Sequence, residues 1–84
     1  MNNKQRQTLN RIVEKPERSD IPWSNIEALF IALGAEVSEG RGSRVRVALK
    51  DVKAVFQRPH PDRVTEKGDV KSVRRFLKEA GVLT

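Results

Sequence analysis

The sequence predicts a single α+β domain in which helices cover one face of a three-stranded antiparallel sheet. The spacing of apolar residues is helical up to residue 33, alternates from residue 35 to residue 56, and becomes helical again after residue 69. The chain has 84 residues and no cysteine, so packing of one hydrophobic core must hold it together. The predicted order of elements is α, α, β, β, β, α.

The chain before residue 23 is predicted to form one short helix and a linker. Leu9, Ile12 and Val13 have helical spacing within Lys4 to Glu14. Pro16 ends this helix, because proline has no amide hydrogen and clashes with the preceding turn. The polar stretch 16–22 has the composition of a linker.

The second helix is predicted from a stripe of apolar residues. Ser24 and Glu27 match a capping box at its start, and Gly34 stands where a glycine commonly ends a helix. Trp23 is expected to pack at the start of this helix rather than to stack on a base. The stripe consists of Ile26, Leu29, Phe30 and Leu33.

Three strands follow, because apolar residues then occur at alternate positions. A turn at Lys50-Asp51 places Leu49 opposite Val52, and the register continues along the hairpin. Arg44 and Arg46 fall on the opposite face from the apolar residues. The alternating apolar residues are Val37 in the first strand, Val45, Val47 and Leu49 in the second, and Val52, Ala54 and Phe56 in the third.

The last helix is predicted from Val70 to about Ala80, after a loop at residues 62–68. Asp69 is the expected N-cap, and Gly81 ends the helix. Its core stripe contains Val73, Phe76, Leu77 and Ala80. The opposite side is basic and is expected to contact a phosphate backbone or an acidic protein, although exposed helix faces are often basic without binding anything. This basic side consists of Lys71, Arg74, Arg75 and Lys78.

The charge balance indicates a polyanionic or acidic partner. Seventeen lysines and arginines face eleven carboxylates, which gives a net charge of +6. One histidine and scattered carboxylates offer no metal-ligand spacing, so we expect neither a metal nor another cofactor. No segment has the length of a membrane span or the composition of a secretory signal, which indicates a cytoplasmic protein without a membrane partner. The residues do not specify an oligomeric state.

A cationic cluster is expected at the open end of the predicted hairpin. The register brings Arg41 and Arg44 of the glycine loop towards Arg58 and His60 after the third strand. Arginine forks match phosphate oxygens, glycines let backbone amides approach an anion, and histidine exchanges protons near neutral pH. The competing interpretation is an ordinary turn with solvated arginines. The proposed RNA contacts at this end are Arg41, Gly42, Ser43, Arg46 and Arg58.

These segments together resemble the HicA toxins of type II toxin–antitoxin systems. The similarity covers roughly residues 21–83 and rests on four short segments that occur in order. They are residues 23–29 leading to 33–35, Gly40-Arg41-Gly42-Ser43-Arg44, Arg58-Pro59-His60-Pro61, and residues 73–82.

The resemblance implies a double-stranded-RNA-binding-like α-β-β-β-α core at residues 21–84, preceded by a helical extension and linker at residues 1–20. It also implies a ribonuclease that acts on messenger RNA and is neutralised by a HicB antitoxin. In this family a histidine usually follows the glycine-serine pair, and this chain has Arg44 there.

Arginine cannot act as a general base, because its guanidinium keeps its proton. His60 is the side chain whose ordinary pKa suits the task, with Arg44 stabilising charge in the transition state. The predicted reaction is metal-independent cleavage of messenger RNA. Two alternatives remain: a catalytically silent RNA-binding module, and a protein-interaction domain for an acidic partner.

Overall fold

The computed structural model describes residues 1–59 and 64–83. Two helices pack on one face of a three-stranded antiparallel sheet, and a third helix packs against these two. This is the predicted α+β class. The elements are α1 (Asn3–Val13), β1 (Ile21–Pro22), α2 (Trp23–Ala32), β2 (Glu36–Glu39), β3 (Arg44–Leu49), β4 (Val52–Gln57), β5 (Val64–Thr65) and α3 (Lys67–Glu79).

Helix α1 lies within one residue of its predicted bounds. Its N-terminus is closed by a capping box, in which Asn2 accepts from the Gln5 amide while the Gln5 side chain accepts from the Asn2 amide. Ile12 is fully buried in the common core, whereas Val13 is 40% exposed. The helix packs against α2 and α3.

A short ribbon of β1 and β5 occupies segments that the sequence predicts to be linker and loop. Ile21 pairs with Thr65, and Pro22 pairs with Val64. Ile21 is buried, so this ribbon forms one edge of the core. A strand of two residues has no detectable alternation, which explains why the pattern predicts none here.

Helix α2 starts earlier than its predicted cap. Its N-cap is Pro22, and no side chain of residues 1–59 or 64–83 caps it, so the predicted capping box of Ser24 and Glu27 is wrong. Ser24 already lies inside the first turn. The predicted end is confirmed, since Leu33 is the C-cap and Gly34 follows with a φ of +88°.

The predicted hairpin register is confirmed. Leu49 pairs with Val52, and Lys50 in the turn adopts a φ of +56°. Strand β2 completes the sheet in the order β2-β3-β4. Val45 and Val47 are buried on the inner face of the sheet against the helices.

An aromatic cluster forms the centre of the core. Trp23, Phe30, Phe56 and Phe76 are all buried, and their ring centroids lie 5.6 to 6.5 Å apart in the contacting pairs. The prediction that Trp23 packs rather than stacking on a base is confirmed, although it does so as the first residue of α2 and not as a residue before the helix.

Helix α3 begins at Lys67 with Glu66 as its N-cap, so the predicted cap at Asp69 is wrong. Asp69 lies in the first turn, where burial and the nearby Glu66 raise the pKa of its carboxyl. The predicted end is confirmed, because Ala80 is the C-cap and Gly81 has a φ of +81°.

Replacing Phe76 with alanine is expected to lower the free energy of unfolding by about 3 kcal/mol. Phe76 is 3% exposed and meets Phe30 and Phe56 edge to face, at 5.6 and 5.8 Å between ring centroids. Urea denaturation measures the change, and Phe76→Leu, which keeps most of the volume, should lose much less. An unchanged denaturation midpoint in Phe76→Ala would contradict the packing of this cluster.

Candidate nucleic-acid interface

The outer face of the sheet carries a row of arginines beside an open groove. Alternation along β3 turns Arg44 and Arg46 away from the helices, and both side chains are exposed. Arg46 lies between Ser38 of β2 and Val55 of β4, which is 60% exposed. An open cavity of about 430 Å³ runs across these strands. It is lined on the outer side by Glu36, Ser38, Arg46, Ala48, Lys53 and Val55.

A second depression of about 130 Å³ lies where this face meets the glycine loop. We call it the basic groove, and it is defined by Gly40, Arg41, Arg44, Arg46 and Val55. It brings together the arginines predicted on the loop and on the second strand. Because three of its five residues are arginines, it can hold an anion.

The loop at residues 40–43 is held tightly by backbone hydrogen bonds. The Gly40 amide donates to the Arg44 carbonyl at 2.8 Å, and the Arg44 amide donates to the Arg41 carbonyl at 3.2 Å. The Gly40 amide is therefore occupied and does not serve the anion contact expected for it. Glycine at residue 40 avoids a tight contact, since a Cβ there would lie 3.2 Å from the Arg44 Cβ.

Gly42 and Ser43 complete this loop. Gly42 adopts a φ of +62°, which glycine tolerates best. The Gln57 side-chain amide donates to the Ser43 hydroxyl across the hairpin end. Arg44 pairs with Gln57, as the register predicts.

Arg58 lies at the open end of the hairpin, as the register predicts, but its guanidinium pairs with two carboxylates and does not join Arg41 and Arg44 in the basic groove. Its guanidinium contacts the Glu27 carboxylate of α2 at 2.7 Å and that of Glu39 in β2 at 2.9 Å. Hydrogen bonds to Glu39 and then to Glu27 raise the pKa of Arg58 above its usual value. Side chains alternate between the two faces of a strand, and Arg58 follows buried Phe56 by two residues. Its side chain therefore points towards the helices.

Arg74 is likewise not on the exposed basic side of α3, and that prediction is wrong. It is 9% exposed and donates to the carbonyls of Ile12 at 3.0 Å and Glu14 at 2.9 Å. It also pairs with the Glu17 carboxylate at 3.1 Å. The pKa of Glu17 lies below its usual value because of a backbone hydrogen bond and the hydrogen bond from Arg74.

The other basic side chains predicted on α3, those of Lys71, Arg75 and Lys78, are exposed. Among the described residues none of them forms an ion pair. Since α3 packs on the inner face of the sheet, this basic side and the basic groove lie in different layers. His60, predicted opposite Arg41, lies outside the described residues.

Ion pairing uses more carboxylates than arginines, so the unpaired groups carry a larger excess of positive charge than the whole chain. Within residues 1–59 and 64–83, three arginines pair with five carboxylates, those of Glu14, Asp20, Glu27, Glu39 and Glu17. The rest of the sequence then has fourteen lysines and arginines against six carboxylates. The sequence pattern does not reveal Glu17, Glu27 and Glu39 as partners, since each lies at least 19 residues from its arginine.

The described residues contain neither a group of metal ligands nor a membrane-spanning helix. In the part of the chain that the structure describes, no three histidines, cysteines or carboxylates are grouped so as to hold a metal ion. No helix among residues 1–59 and 64–83 combines the length and hydrophobicity that crossing a membrane requires.

Comparison with known proteins identifies the family. No curated protein and no solved structure matches the chain. The sequence profile of a family described as "HicA toxin of bacterial toxin-antitoxin" matches residues 23–82. The match runs from α2 through the sheet and the basic groove to the turn after α3, which is more than half of the chain. The chain therefore belongs to the HicA family, the toxins of bacterial toxin–antitoxin systems, whose partner is an antitoxin.

Proposed function

We propose that this toxin binds messenger RNA through the basic groove and cleaves it without a metal ion in the cytoplasm, and that a HicB-type antitoxin neutralises it. The observation that carries the proposal is the row of Arg41, Arg44 and Arg46. All three are exposed, and none pairs with a carboxylate among the described residues.

The basic groove suits a phosphate backbone better than a small ligand. Each guanidinium can donate two parallel hydrogen bonds to phosphate oxygens. The three arginines lie along the loop and the adjoining strand, so successive phosphates can occupy them. Val55 adds an apolar contact beside the arginines. Phosphate contacts give affinity and little sequence preference.

The proposed cleavage uses the ribose 2′-hydroxyl as the nucleophile. Its oxygen bonds to phosphorus while the bond from phosphorus to the 5′-oxygen of the next nucleotide breaks. The products are a 2′,3′-cyclic phosphate and a 5′-hydroxyl, whose oxygen takes a proton from water. His60 accepts its proton, and Arg44 stabilises the negative charge that develops on the phosphate oxygens. This assignment follows from the sequence and from the family, in which the position of Arg44 usually holds the catalytic histidine. Arg44 lies in the basic groove, next to the positions proposed for phosphate.

A second candidate function is arrest of translation by occupancy of RNA without cleavage. Arg44 supports it, because a guanidinium at the usual histidine position binds phosphate but accepts no proton. The two functions share the same RNA contacts. They differ in whether RNA fragments are produced.

The affinity for a single-stranded RNA is expected to fall steeply with salt. Each phosphate contact contributes about −0.7 to the slope of log affinity against log salt concentration. Arg44→Gln and Arg46→Gln should each weaken binding and reduce the slope by about 0.7. Fluorescence anisotropy across a salt series measures both quantities.

Arg6→Gln is the matched control for these variants. Arg6 is an exposed arginine on α1, in the layer behind the sheet. Its replacement should change the slope much less than replacement of Arg44. Equal effects at Arg6 and Arg44 would show that binding depends on net charge and not on the basic groove, and binding that does not depend on salt would exclude the phosphate contacts.

A further inference from the structure

Arg58 joins three parts of the fold beside the loop at residues 40–43. Its Nη2 atom lies 2.7 Å from Glu27 Oε1 in α2 and 2.9 Å from Glu39 Oε1 at the end of β2. Its backbone amide donates to the Ser43 carbonyl at 2.8 Å. One residue thus contacts the residue before the loop and the last residue of the loop, and fastens both to α2.

The loop at residues 40–43 is too constrained to keep its position if Glu39 or Ser43 moves. The Gly40 amide donates to the Arg44 carbonyl, and a Cβ at residue 40 would lie only 3.2 Å from the Arg44 Cβ. Arg41 and Arg44 are the residues whose backbone atoms close the turn. A displacement of Glu39 or Ser43 therefore moves the side chains of both arginines in the basic groove.

The charge around Arg58 argues against contact with phosphate. Two carboxylates already occupy its guanidinium, through Nε, Nη1 and Nη2. The group of three side chains has a net charge of −1. A phosphate brought to this guanidinium would meet both carboxylates, so the group repels the anion that a bare arginine attracts.

We propose that Arg58 is a positioning residue, which holds the loop at residues 40–43 so that Arg41 and Arg44 meet RNA, without touching RNA itself. This rests on the proposed RNA binding by the basic groove. The task needs the planar fork of arginine, because a lysine ammonium cannot donate from three nitrogens to two carboxylates on different elements. Glu27 and Glu39 share this positioning role, because their carboxylates hold the Arg58 guanidinium.

Glu27→Ala distinguishes positioning from direct contact. If Arg58 bound phosphate, removal of a competing carboxylate would strengthen RNA binding. If Arg58 positions the loop, the same change releases its guanidinium from α2 and should weaken RNA binding. The expected loss is about fivefold, which is typical of the coupling between residues in contact. Arg58→Lys, which keeps the charge, should weaken binding to a similar extent.

The matched control is Glu79→Ala, which removes an exposed helix carboxylate that has no ion pair among the described residues. It should leave RNA affinity unchanged or slightly higher. Glu39→Gln should weaken RNA binding less than Glu27→Ala does. The Glu39 side chain is 67% exposed, and the contact between Arg58 and Glu27 in α2 remains in this variant. Circular dichroism establishes that each variant is folded.

Amide hydrogen exchange tests the positioning role without RNA. In Glu27→Ala and Arg58→Lys, the amides of Gly40 and Arg44 should exchange about tenfold faster, because local opening becomes easier. The amide of Phe30 in α2 should keep its rate. Unchanged exchange at Gly40 and Arg44, or tighter RNA binding by Glu27→Ala, overturns the proposal. Faster exchange in a protein that binds no RNA would overturn the proposed function and leave the positioning of the loop established.

Discussion

Replacing Arg74 with alanine is expected to lower the free energy of unfolding by about 4 kcal/mol, because two backbone carbonyls lose their charged donor, at about 1–3 kcal/mol for each buried acceptor. The change removes hydrogen bonds to the carbonyls of Ile12 and Glu14 and leaves the Glu17 carboxylate without its partner. The Ile12 carbonyl lies in the last turn of α1, where helix carbonyls have no partner within the helix. Urea denaturation followed by circular dichroism measures the loss.

Arg75→Ala is the matched control for this prediction. Arg75 is the next residue on the same helix and is exposed, so its replacement should change stability by less than about 0.5 kcal/mol. RNA or antitoxin binding is expected to weaken in Arg75→Ala if the exposed side of α3 contributes to it. Equal stability of the two variants would contradict the anchoring role of Arg74.

Replacing His60 with alanine is expected to slow RNA cleavage at least about 100-fold, the usual contribution of a general base. Incubation of a defined RNA with pure protein in a chelator measures the rate, because metal-dependent contaminants are then silent. RNA affinity should stay close to that of the parent protein, since three arginines of the basic groove remain. Growth inhibition by the expressed chain should disappear together with cleavage.

Two outcomes would change this assignment. If His60→Ala cleaves as fast as the parent, His60 is not the proton acceptor. Arg44→His is the complementary variant, because it restores the residue usual in the family. A marked gain of cleavage in Arg44→His would identify the natural chain as a weakened nuclease that acts mainly by binding RNA.

Local periodicity was sufficient to predict the sheet and two helix ends. A turn at Lys50 fixes every pair along the hairpin, so one correct residue determines the register of β3 and β4. Gly34 and Gly81 indicate helix ends, because their backbone conformations are rare for other residues. Helix starts are harder to predict, since no side chain in the described part of the chain caps α2 or α3.

The errors at the site have a common cause. The sequence pattern correctly places Arg44 and Arg46 on the outer face, where the strand alone determines direction. The same pattern wrongly predicts basic clusters for Arg58 and Arg74, because their partners are distant in sequence. Long arginine side chains bend towards such partners and bury their stems, which local spacing cannot reveal.

The contacts of Arg74 make the packed unit of this chain longer than the segment that matches the family. The family match begins at residue 23, whereas Ile12 is fully buried and Arg74 requires carbonyls at residues 12 and 14. The segment that matches the family is therefore shorter than the packed core, which includes Ile12 of α1. In a relative without the first helix, an arginine at the position of Arg74 would have lost its acceptors. The identity of that residue and the presence of the helix are expected to change together in evolution.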